Sequence, residues 1–216
     1  MAKNIKLLVC DMTGTTVFEN GIIYKTIKDV LNDYGFGVTE RDMKEWYGKD
    51  KRDVLNTYTG LESGYIKNIE PVLIKKLEEN YFDNDNVRLI HPELLYFFDE
   101  LRKRDIKVAL NTGYPESLQR RLIEHLGFEG RIDAYISSQS VFKGRPYPYM
   151  IHSLADTLMV KPSQIAKIGD TVPDMLEGRS AHCGLIIGTL TGVENDRTLR
   201  RYSDFNVLSI MDLNEF

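Results

Sequence analysis

The sequence has 216 residues, of which 42% are hydrophobic and 28% are charged. This is the composition of an ordinary globular protein with a substantial core, so it excludes long disorder and fibrous repeats, and the length suits one large domain or one domain with a smaller insertion. The 28 basic and 32 acidic residues give a formal net charge of −4, which offers no support for binding to nucleic acid or to a membrane surface, because both usually select a basic face.

Strand and helix patterns alternate along the chain. Residues 5–10 form an apolar run that ends at a polar turn, which is typical of a buried strand. Between about residues 24 and 82 the apolar residues recur at helical spacing, and no strand alternation appears. Later in the chain, helical segments separate four further apolar runs, at 106–110, 134–137, 165–168 and 184–188.

A repeating strand–helix order favours an α/β fold, a doubly wound, Rossmann-like parallel sheet with helices on both faces. The helical block interrupts this order after the first strand. We therefore expect a core domain formed by residues 1–16 and 86–216, with an inserted α-helical cap at residues 17–85.

The cysteines and the first apolar run bear on location. The run at residues 5–10 is interrupted by Lys6 and stops at Asp11, so it is too short for the apolar segment of a signal peptide. Cys10 and Cys183 lie in apolar, strand-like runs and are too few for a secreted disulfide framework. A cytoplasmic location without a membrane span is the prediction.

Polar residues follow three of the predicted strands: Asp11, Thr112 and Asp170. Ligands of open α/β sheets bind beyond the carboxyl ends of the strands. A single acid at a strand end commonly does no more than cap a turn or the next helix. Three polar strand ends together favour a binding site.

The first of these strand ends suits an anion. Asp11 is followed by a turn in which Gly14 would let backbone N–H groups approach an anion, while the hydroxyls of Thr13 and Thr15 would donate hydrogen bonds. We expect Thr15 to bind the substrate. A carboxylate at such a turn can act as a nucleophile.

Two acids follow the strand predicted at 165–168. Asp170 and Asp174, with Asp11, would offer carboxylate oxygens to one hard divalent cation, and Mg²⁺ prefers a few carboxylates, waters and substrate phosphate. The alternative for Asp174 is that it only caps the helix beginning near residue 175. Asp11, Thr13, Asp170 and Asp174 are the predicted metal ligands.

Phosphoryl oxygens have candidate donors elsewhere. Thr112 carries a hydroxyl, and Gly113 leaves its backbone N–H unblocked, so the pair would bind a phosphoryl group. Arg145 would place a fixed cation against both this group and the carboxylate of Asp11, because a guanidinium has several donors and keeps its charge. Lys143 is its nearby competitor.

These motifs resemble those of the haloacid dehalogenase superfamily, whose members carry an Asp nucleophile, a Ser or Thr after the second strand, a later Lys or Arg, and a terminal acidic pair. The likeness is greatest to the phosphonatase-like branch, which includes phosphonoacetaldehyde hydrolase. It is carried by DMTGTTV at 11–17, NTGY at 111–114, GRPYP at 144–148 and GDTVPDM at 169–175.

The resemblance implies a phosphohydrolase in which Asp11 attacks phosphorus and water hydrolyses the resulting aspartyl-phosphate. It also implies one Mg²⁺ ion, bound by the Asp11 carboxylate, the Thr13 carbonyl and Asp170. Arg145 and Thr112 would then be catalytic residues that neutralise and orient the phosphoryl group.

The chain departs from the phosphatase pattern at Thr13, where many members have an Asp that serves as general acid and base. Threonine cannot do this near neutral pH. In the phosphonoacetaldehyde hydrolase branch an imine between the substrate aldehyde and a cap lysine meets the need, and Lys51, three residues after Gly48, matches that position. Lys51 is therefore a candidate for catalysis and for substrate binding, with a solvated side chain as the alternative. Tyr47 and Val54 replace the family's Met and His.

Three hypotheses follow. The first is a Mg²⁺-dependent hydrolase acting on a small phosphorylated or phosphonate substrate. The second is a phosphonoacetaldehyde hydrolase that uses a Lys51 imine. The third is a non-catalytic module that binds a phosphate ligand, because Thr13 replaces the acid. The sequence leaves a homodimer open.

Overall fold

The computed structural model describes residues 4–46, 51–60, 65–82 and 86–215. Its strands, in chain order, are β1 (Leu7–Asp11), β2 (Val17–Phe18), β3 (Arg88–Leu89), β4 (Lys107–Thr112), β5 (Ala134–Ser137), β6 (Ile165–Gly169), β7 (Leu185–Thr189) and β8 (Phe205–Val207). Six of them form one sheet in the order β5-β4-β1-β6-β7-β8, and every neighbouring pair is parallel. β2 and β3 form a separate antiparallel pair.

The α-helices are α1 (Ile22–Asp33), α2 (Glu40–Met43), α3 (Lys51–Thr59), α4 (Tyr65–Phe82), α5 (Leu94–Lys103), α6 (Glu116–His125), α7 (Tyr149–Leu158), α8 (Val172–Ser180) and α9 (Asp196–Leu199). Short 3-10 helices cover Lys44–Trp46, Ser138–Ser140, Pro162–Gln164 and Ile210–Glu215. Helices α1 to α4 fall between β2 and β3, and α4 packs against α1 and α3. The chain thus leaves the large sheet through β2 and returns to it through β3.

The central strand β1 shows why the sheet is covered on both faces. Side chains alternate between the faces of a strand, and here both sets are apolar and buried. Leu8 and Cys10 belong to the larger core cluster, whereas Leu7 and Val9 belong to a second cluster on the other face. A strand buried on both faces has a continuous apolar run rather than an alternating one, as the sequence has here.

The sheet confirms the predicted doubly wound α/β class, and β4, β5, β6 and β7 begin and end within two residues of the predicted runs. The two-residue strands β2 and β3 and the edge strand β8 were not predicted. β8 has only three residues, with Asn206 at its centre, so it carries too little periodicity to be recognised. Among the described residues, no helix combines the length and apolar character needed to cross a bilayer.

Candidate active site

The three polar strand ends meet at one cavity of about 320 Å³. β1 lies between β4 and β6, with Asp11 beside Asn111 in the parallel register. The strand order reverses at β1, and such a switch point is where open α/β sheets bind ligands. Of the residues singled out from the sequence, those that line this cavity are Asp11, Thr13, Gly14, Thr112, Gly113, Arg145, Asp170 and Asp174.

Arg145 is the cation that faces Asp11. Its Nη1 donates to Asp11 Oδ1 at 2.6 Å, and its Nε donates to Glu177 Oε2 at 3.1 Å. Its Nη2 donates to both the backbone and side-chain oxygens of Asn111, at 2.9 and 2.8 Å. The competitor Lys143 is exposed, with its ammonium 4.7 Å from the ring centroid of Tyr147. The structure therefore places Arg145, and not Lys143, at the cavity.

A second buried cation, Lys167, was not found from the sequence. It is fully buried, and its ammonium donates to Asp174 Oδ1 at 2.8 Å and to Asn111 Oδ1 at 2.9 Å. It also lies 3.7 Å from Glu177 Oε2. Two features of the sequence could have pointed to this ion pair. One is a lysine in the middle of an apolar strand, which is rarely buried without a partner. The other is an acid, Glu177, one helical turn after Asp174 and therefore on the same face of the helix.

These groups form a buried charge cluster: Asp11, Asp170, Asp174, Glu177, Arg145 and Lys167. Four carboxylates and two cations give it a formal charge of −2. An uncompensated charge of this kind is costly away from water. A divalent cation would neutralise it.

The pKa values divide the three aspartates of the cluster. Burial raises the pKa of Asp11 and raises that of Asp170 further, and the carboxylates also repel each other. Burial acts in the same direction on Asp174, but the positive charges of Arg145 and Lys167 outweigh it, so the pKa of Asp174 is lowered. Asp174 is thus satisfied by protein cations, whereas Asp11 and Asp170 lack sufficient positive charge.

Asp170 has an oxygen available for a further partner. Val193 N–H donates to its Oδ2 at 3.0 Å, whereas its buried Oδ1 has no hydrogen-bond partner in the described part of the chain. Two glycines leave space beside it: a Cβ on Gly14, whose φ is +79°, would lie 2.6 Å from Asp170 Oδ2, and one on Gly192 would overlap the carboxylate.

The carboxylates fit a hard cation. One oxygen from each of Asp11, Asp170 and Asp174 lies within 4.8 Å of the others, and all-oxygen sets of this kind suit Mg²⁺. Both oxygens of Asp174 already accept hydrogen bonds, Oδ1 from Lys167 and Oδ2 from the Thr171 hydroxyl. The unpartnered oxygen of Asp170 is therefore the better candidate for direct coordination.

The turn after β1 differs from the expectation that its N–H groups face an anion. The N–H of Gly14 donates to the Val17 carbonyl, and those of Thr15, Thr16 and Val17 donate to the Met12 carbonyl. Thr15 is fully buried and does not line the cavity in the structure, so its predicted contact with substrate has no support in this arrangement. These N–H groups donate to carbonyls within the turn and are therefore not available to an anion.

Thr13 begins a series of hydrogen-bonded hydroxyl groups beside the cavity, and Tyr114 also lines that cavity. Its Oγ1 is hydrogen-bonded to the Tyr114 hydroxyl, which lies 2.9 Å from the Tyr81 hydroxyl. Tyr81 in turn donates to Glu19 Oε2 at 3.0 Å. Burial raises the pKa of both phenols well above the ordinary value. No motif in the sequence points to Tyr81 or Glu19 as site residues.

The candidate cap residues are only partly described. Residues 47–50, which include Tyr47 and Gly48, lie outside the described residues, and so does the side chain of Lys51. The backbone of Lys51 begins α3. Val54, at the position of the family's His, is buried in the core of the helical block.

Fold and site together define the class of protein: an α/β protein with a carboxylate, a fixed guanidinium and an acidic pair that could bind a cation, around one cavity at the switch point of its sheet. The chain belongs to the haloacid dehalogenase-like hydrolase family, whose sequence model matches residues 5–182.

The relatives extend this likeness. A phosphonoacetaldehyde hydrolase of Bacillus cereus is 29% identical over 206 residues, which cover 86% of this chain and 77% of that protein. The bifunctional phosphonoacetaldehyde hydrolase/aminoethylphosphonate transaminase of Clostridioides difficile is 28% identical over 204 residues, which cover 83% of this chain but only 30% of that protein. The solved phosphonoacetaldehyde hydrolase-like protein from Oleispira antarctica has a TM-score of 0.79 at 19% identity, covering 99% of this chain and 91% of that one.

Proposed function

We propose that this chain is a Mg²⁺-dependent phosphohydrolase that cleaves a small phosphate or phosphonate compound through an aspartyl-phosphate on Asp11. The observation that carries the proposal is the buried cluster of charge −2 whose Asp11 end opens into the cavity. Asp170, which lines the same cavity, keeps one oxygen without a partner among the described residues. Such a site attracts a divalent cation and an anionic substrate together.

Asp11 is the proposed nucleophile. Arg145 holds its Oδ1 at 2.6 Å, which directs the other carboxylate oxygen away from the guanidinium and keeps the side chain in one rotamer. Thr112 and Gly113, at the end of β4, line the same cavity and are the proposed donors to phosphoryl oxygens. Attack by a pre-positioned carboxylate avoids most of the entropy cost of bringing two anions together.

Asp11, Asp170 and the Thr13 carbonyl are the proposed cation ligands, and Asp174 completes the acidic set. A bound Mg²⁺ would supply positive charge that reduces repulsion between the carboxylate and the phosphoryl group. Asp174 contributes by holding Lys167 and Arg145, at 2.8 and 3.1 Å. Asp174 thereby holds Arg145, the guanidinium that faces Asp11, in place.

We further propose that helices α1 to α4 act as a cap over the cavity. Tyr24 of α1 and Met43 of α2 line the cavity beside the strand ends, as does Glu19 just before α1. A closed cap excludes water from a reactive intermediate. The core is taken as residues 1–16 and 86–216, and the cap as residues 17–85.

The nucleophile is tested by Asp11→Asn, which removes the charge and keeps the shape. We expect Mg²⁺-dependent hydrolysis of 4-nitrophenyl phosphate and acetyl phosphate to fall by at least about a thousandfold, since a missing covalent nucleophile is not compensated. Asp156→Asn, the same change at an exposed position of α7, is the control and should keep full activity. Binding of inorganic phosphate without turnover by the unsubstituted protein would instead favour the non-catalytic module.

A second candidate, a phosphonoacetaldehyde hydrolase with a Lys51 imine, is favoured by the names of the relatives. Incubation with phosphonoacetaldehyde followed by borohydride should leave a reduced adduct on Lys51, detected by peptide mass spectrometry. Lys75, an exposed lysine of α4, is the internal control for non-specific trapping. Retained phosphatase activity without an adduct would reject the imine and leave the first proposal intact.

A further inference from the structure

A buried Glu lies at the far end of the hydroxyl chain that starts at Thr13. Glu19 Oε2 accepts the backbone N–H of Ile23 at 2.9 Å and the Tyr81 hydroxyl at 3.0 Å. As a carboxylate, Glu19 has no proton to donate, so this oxygen is the acceptor at both contacts. The hydroxyl proton of Tyr81 is therefore committed to Glu19.

The direction of this hydrogen bond sets the direction of the other two hydrogen bonds in the series, Tyr81–Tyr114 and Tyr114–Thr13. Three contacts join the four residues, and the three hydroxyls supply one proton each. With the Tyr81 proton used on Glu19, Tyr114 has to donate to Tyr81, and Thr13 has to donate to Tyr114. Any other arrangement leaves two oxygens facing each other without a proton, which is costly in a buried network.

We propose that Glu19, acting through Tyr81 and Tyr114, holds Thr13 as a hydrogen-bond acceptor in the cavity, where Thr13 orients the water that hydrolyses the aspartyl-phosphate. The inference rests on the proposed function, because it assigns a role within the second half of that reaction. Glu19, Tyr81 and Tyr114 are positioning residues. Thr13 lines the cavity, as do Glu19 and Tyr114, and it is the group that we assign to the water because its remaining lone pair is free of the three contacts above.

The hydrolysis step balances without any proton being transferred to or from Thr13. The water oxygen forms a bond to phosphorus, and the bond between phosphorus and the Asp11 oxygen breaks, returning its electron pair to the carboxylate. Both water protons leave with the product as dihydrogen phosphate. Thr13 accepts a hydrogen bond from the water, which turns a lone pair of the water oxygen toward phosphorus, and keeps its own proton on Tyr114.

The hydrogen-bonded hydroxyl groups also link the helical block to the core. Tyr81 lies near the end of α4, whereas Tyr114 follows β4 and Thr13 follows β1. Tyr81 is completely buried, and its ring packs edge-to-face on that of Tyr114 at 6.0 Å between centroids. The helical block therefore supplies the hydroxyl that sets the polarity of Thr13.

Tyr81→Phe tests the inference, because it removes one hydroxyl and keeps the ring. Without that acceptor, the Tyr114 proton turns to Thr13, and the Thr13 proton turns to the cavity, where it competes for the lone pair of the water. Rapid acid quench and intact-protein mass spectrometry during turnover of 4-nitrophenyl phosphate measure the fraction of protein that carries a phosphoryl group. The time course separates phosphorylation of Asp11 from hydrolysis.

We expect the hydrolysis rate constant of Tyr81→Phe to fall about tenfold, the scale of one lost hydrogen bond to a reacting group, while the phosphorylation rate constant stays within about twofold. The phosphorylated fraction at steady state should rise accordingly. Tyr135→Phe, on the exposed edge strand β5, is the matched control and should change neither rate constant. An unchanged phosphorylation rate constant also reports that the Tyr81 variant is folded.

Two results would overturn the inference. If Tyr81→Phe lowers both rate constants by the same factor, Tyr81 has only a structural role, and if it changes neither, the hydroxyl chain does not act on the water. Failure of the proposed function is distinct, since the unsubstituted protein would then carry no phosphoryl group with either 4-nitrophenyl phosphate or acetyl phosphate. That outcome would remove the inference as well.

Discussion

Replacing Lys167 by Met tests whether charge holds the ends of β1, β4 and β6 together. The Lys167 ammonium is fully buried and lies 2.8 Å from Asp174 Oδ1. Met has a similar length and volume but no charge, so the cluster would change from a formal charge of −2 to −3. Removing one partner of a buried ion pair costs about 3–5 kcal/mol. Because Arg145 also contacts Asp174, at 3.1 Å, we expect the lower end, a loss of about 3 kcal/mol in the free energy of unfolding.

Equilibrium unfolding in urea, followed by far-UV circular dichroism without divalent cations, measures this loss. The control is Lys75→Met in α4, where the ion pair with Glu79 is 3.8 Å long and the lysine side chain is 79% exposed. An exposed pair of this kind contributes about 0.5 kcal/mol or less. If Lys167→Met costs no more than this control, the buried ion pairs of Lys167 do not stabilise the fold, and the cluster does not need further positive charge from a divalent cation.

Two further predictions concern the same buried surroundings. Mg²⁺ should stabilise the unsubstituted protein by about 2.7 kcal/mol at a hundredfold excess over its dissociation constant, and so raise its melting temperature. Asp170→Asn should abolish this rise. An equal rise in the variant would exclude Asp170 as a ligand. Burial raises the pKa of the Cys183 thiol to about 12 and raises that of Cys10 as well, so at pH 8 iodoacetamide should alkylate the folded protein about a thousandfold more slowly than the urea-unfolded chain. Equal rates, measured by mass spectrometry, would contradict this.

The parallel core could be predicted because its strands are continuous apolar runs, each followed by a polar residue. Parallel strands bring their carboxyl ends to one edge of the sheet. Asp11, Thr112 and Asp170 could therefore be expected at one cavity, although 101 positions separate the first two. Arg145 followed from a short motif and from the resemblance.

Lys167 and Glu177 could not be recognised in the same way. Lysine inside β6 looks like an interruption of an apolar run, and Glu177 looks like a solvated position of α8. Only the assembled fold shows that the Lys167 ammonium lies against the carboxylates of both Glu177 and Asp174. The contact between Tyr81 and Glu19 spans 62 positions. It depends on how α4 packs on the start of α1, which no spacing in the sequence reveals.

The committed proton of Thr13 has a consequence for substrate choice. A phosphatase with an acid at this position can hand a proton to a departing alkoxide. Thr13 has only a hydroxyl, which is hydrogen-bonded to that of Tyr114 and, in the direction that we propose, donates its proton to it. Under that proposal, the fragment released in the first step has to depart with its own negative charge. Carboxylates released from acyl phosphates, and carbanions stabilised by an adjacent imine or carbonyl, meet that requirement, whereas simple sugar alcohols do not. The hydrogen-bonded hydroxyl groups would thus select substrates by the basicity of the leaving group rather than by the shape of the substrate.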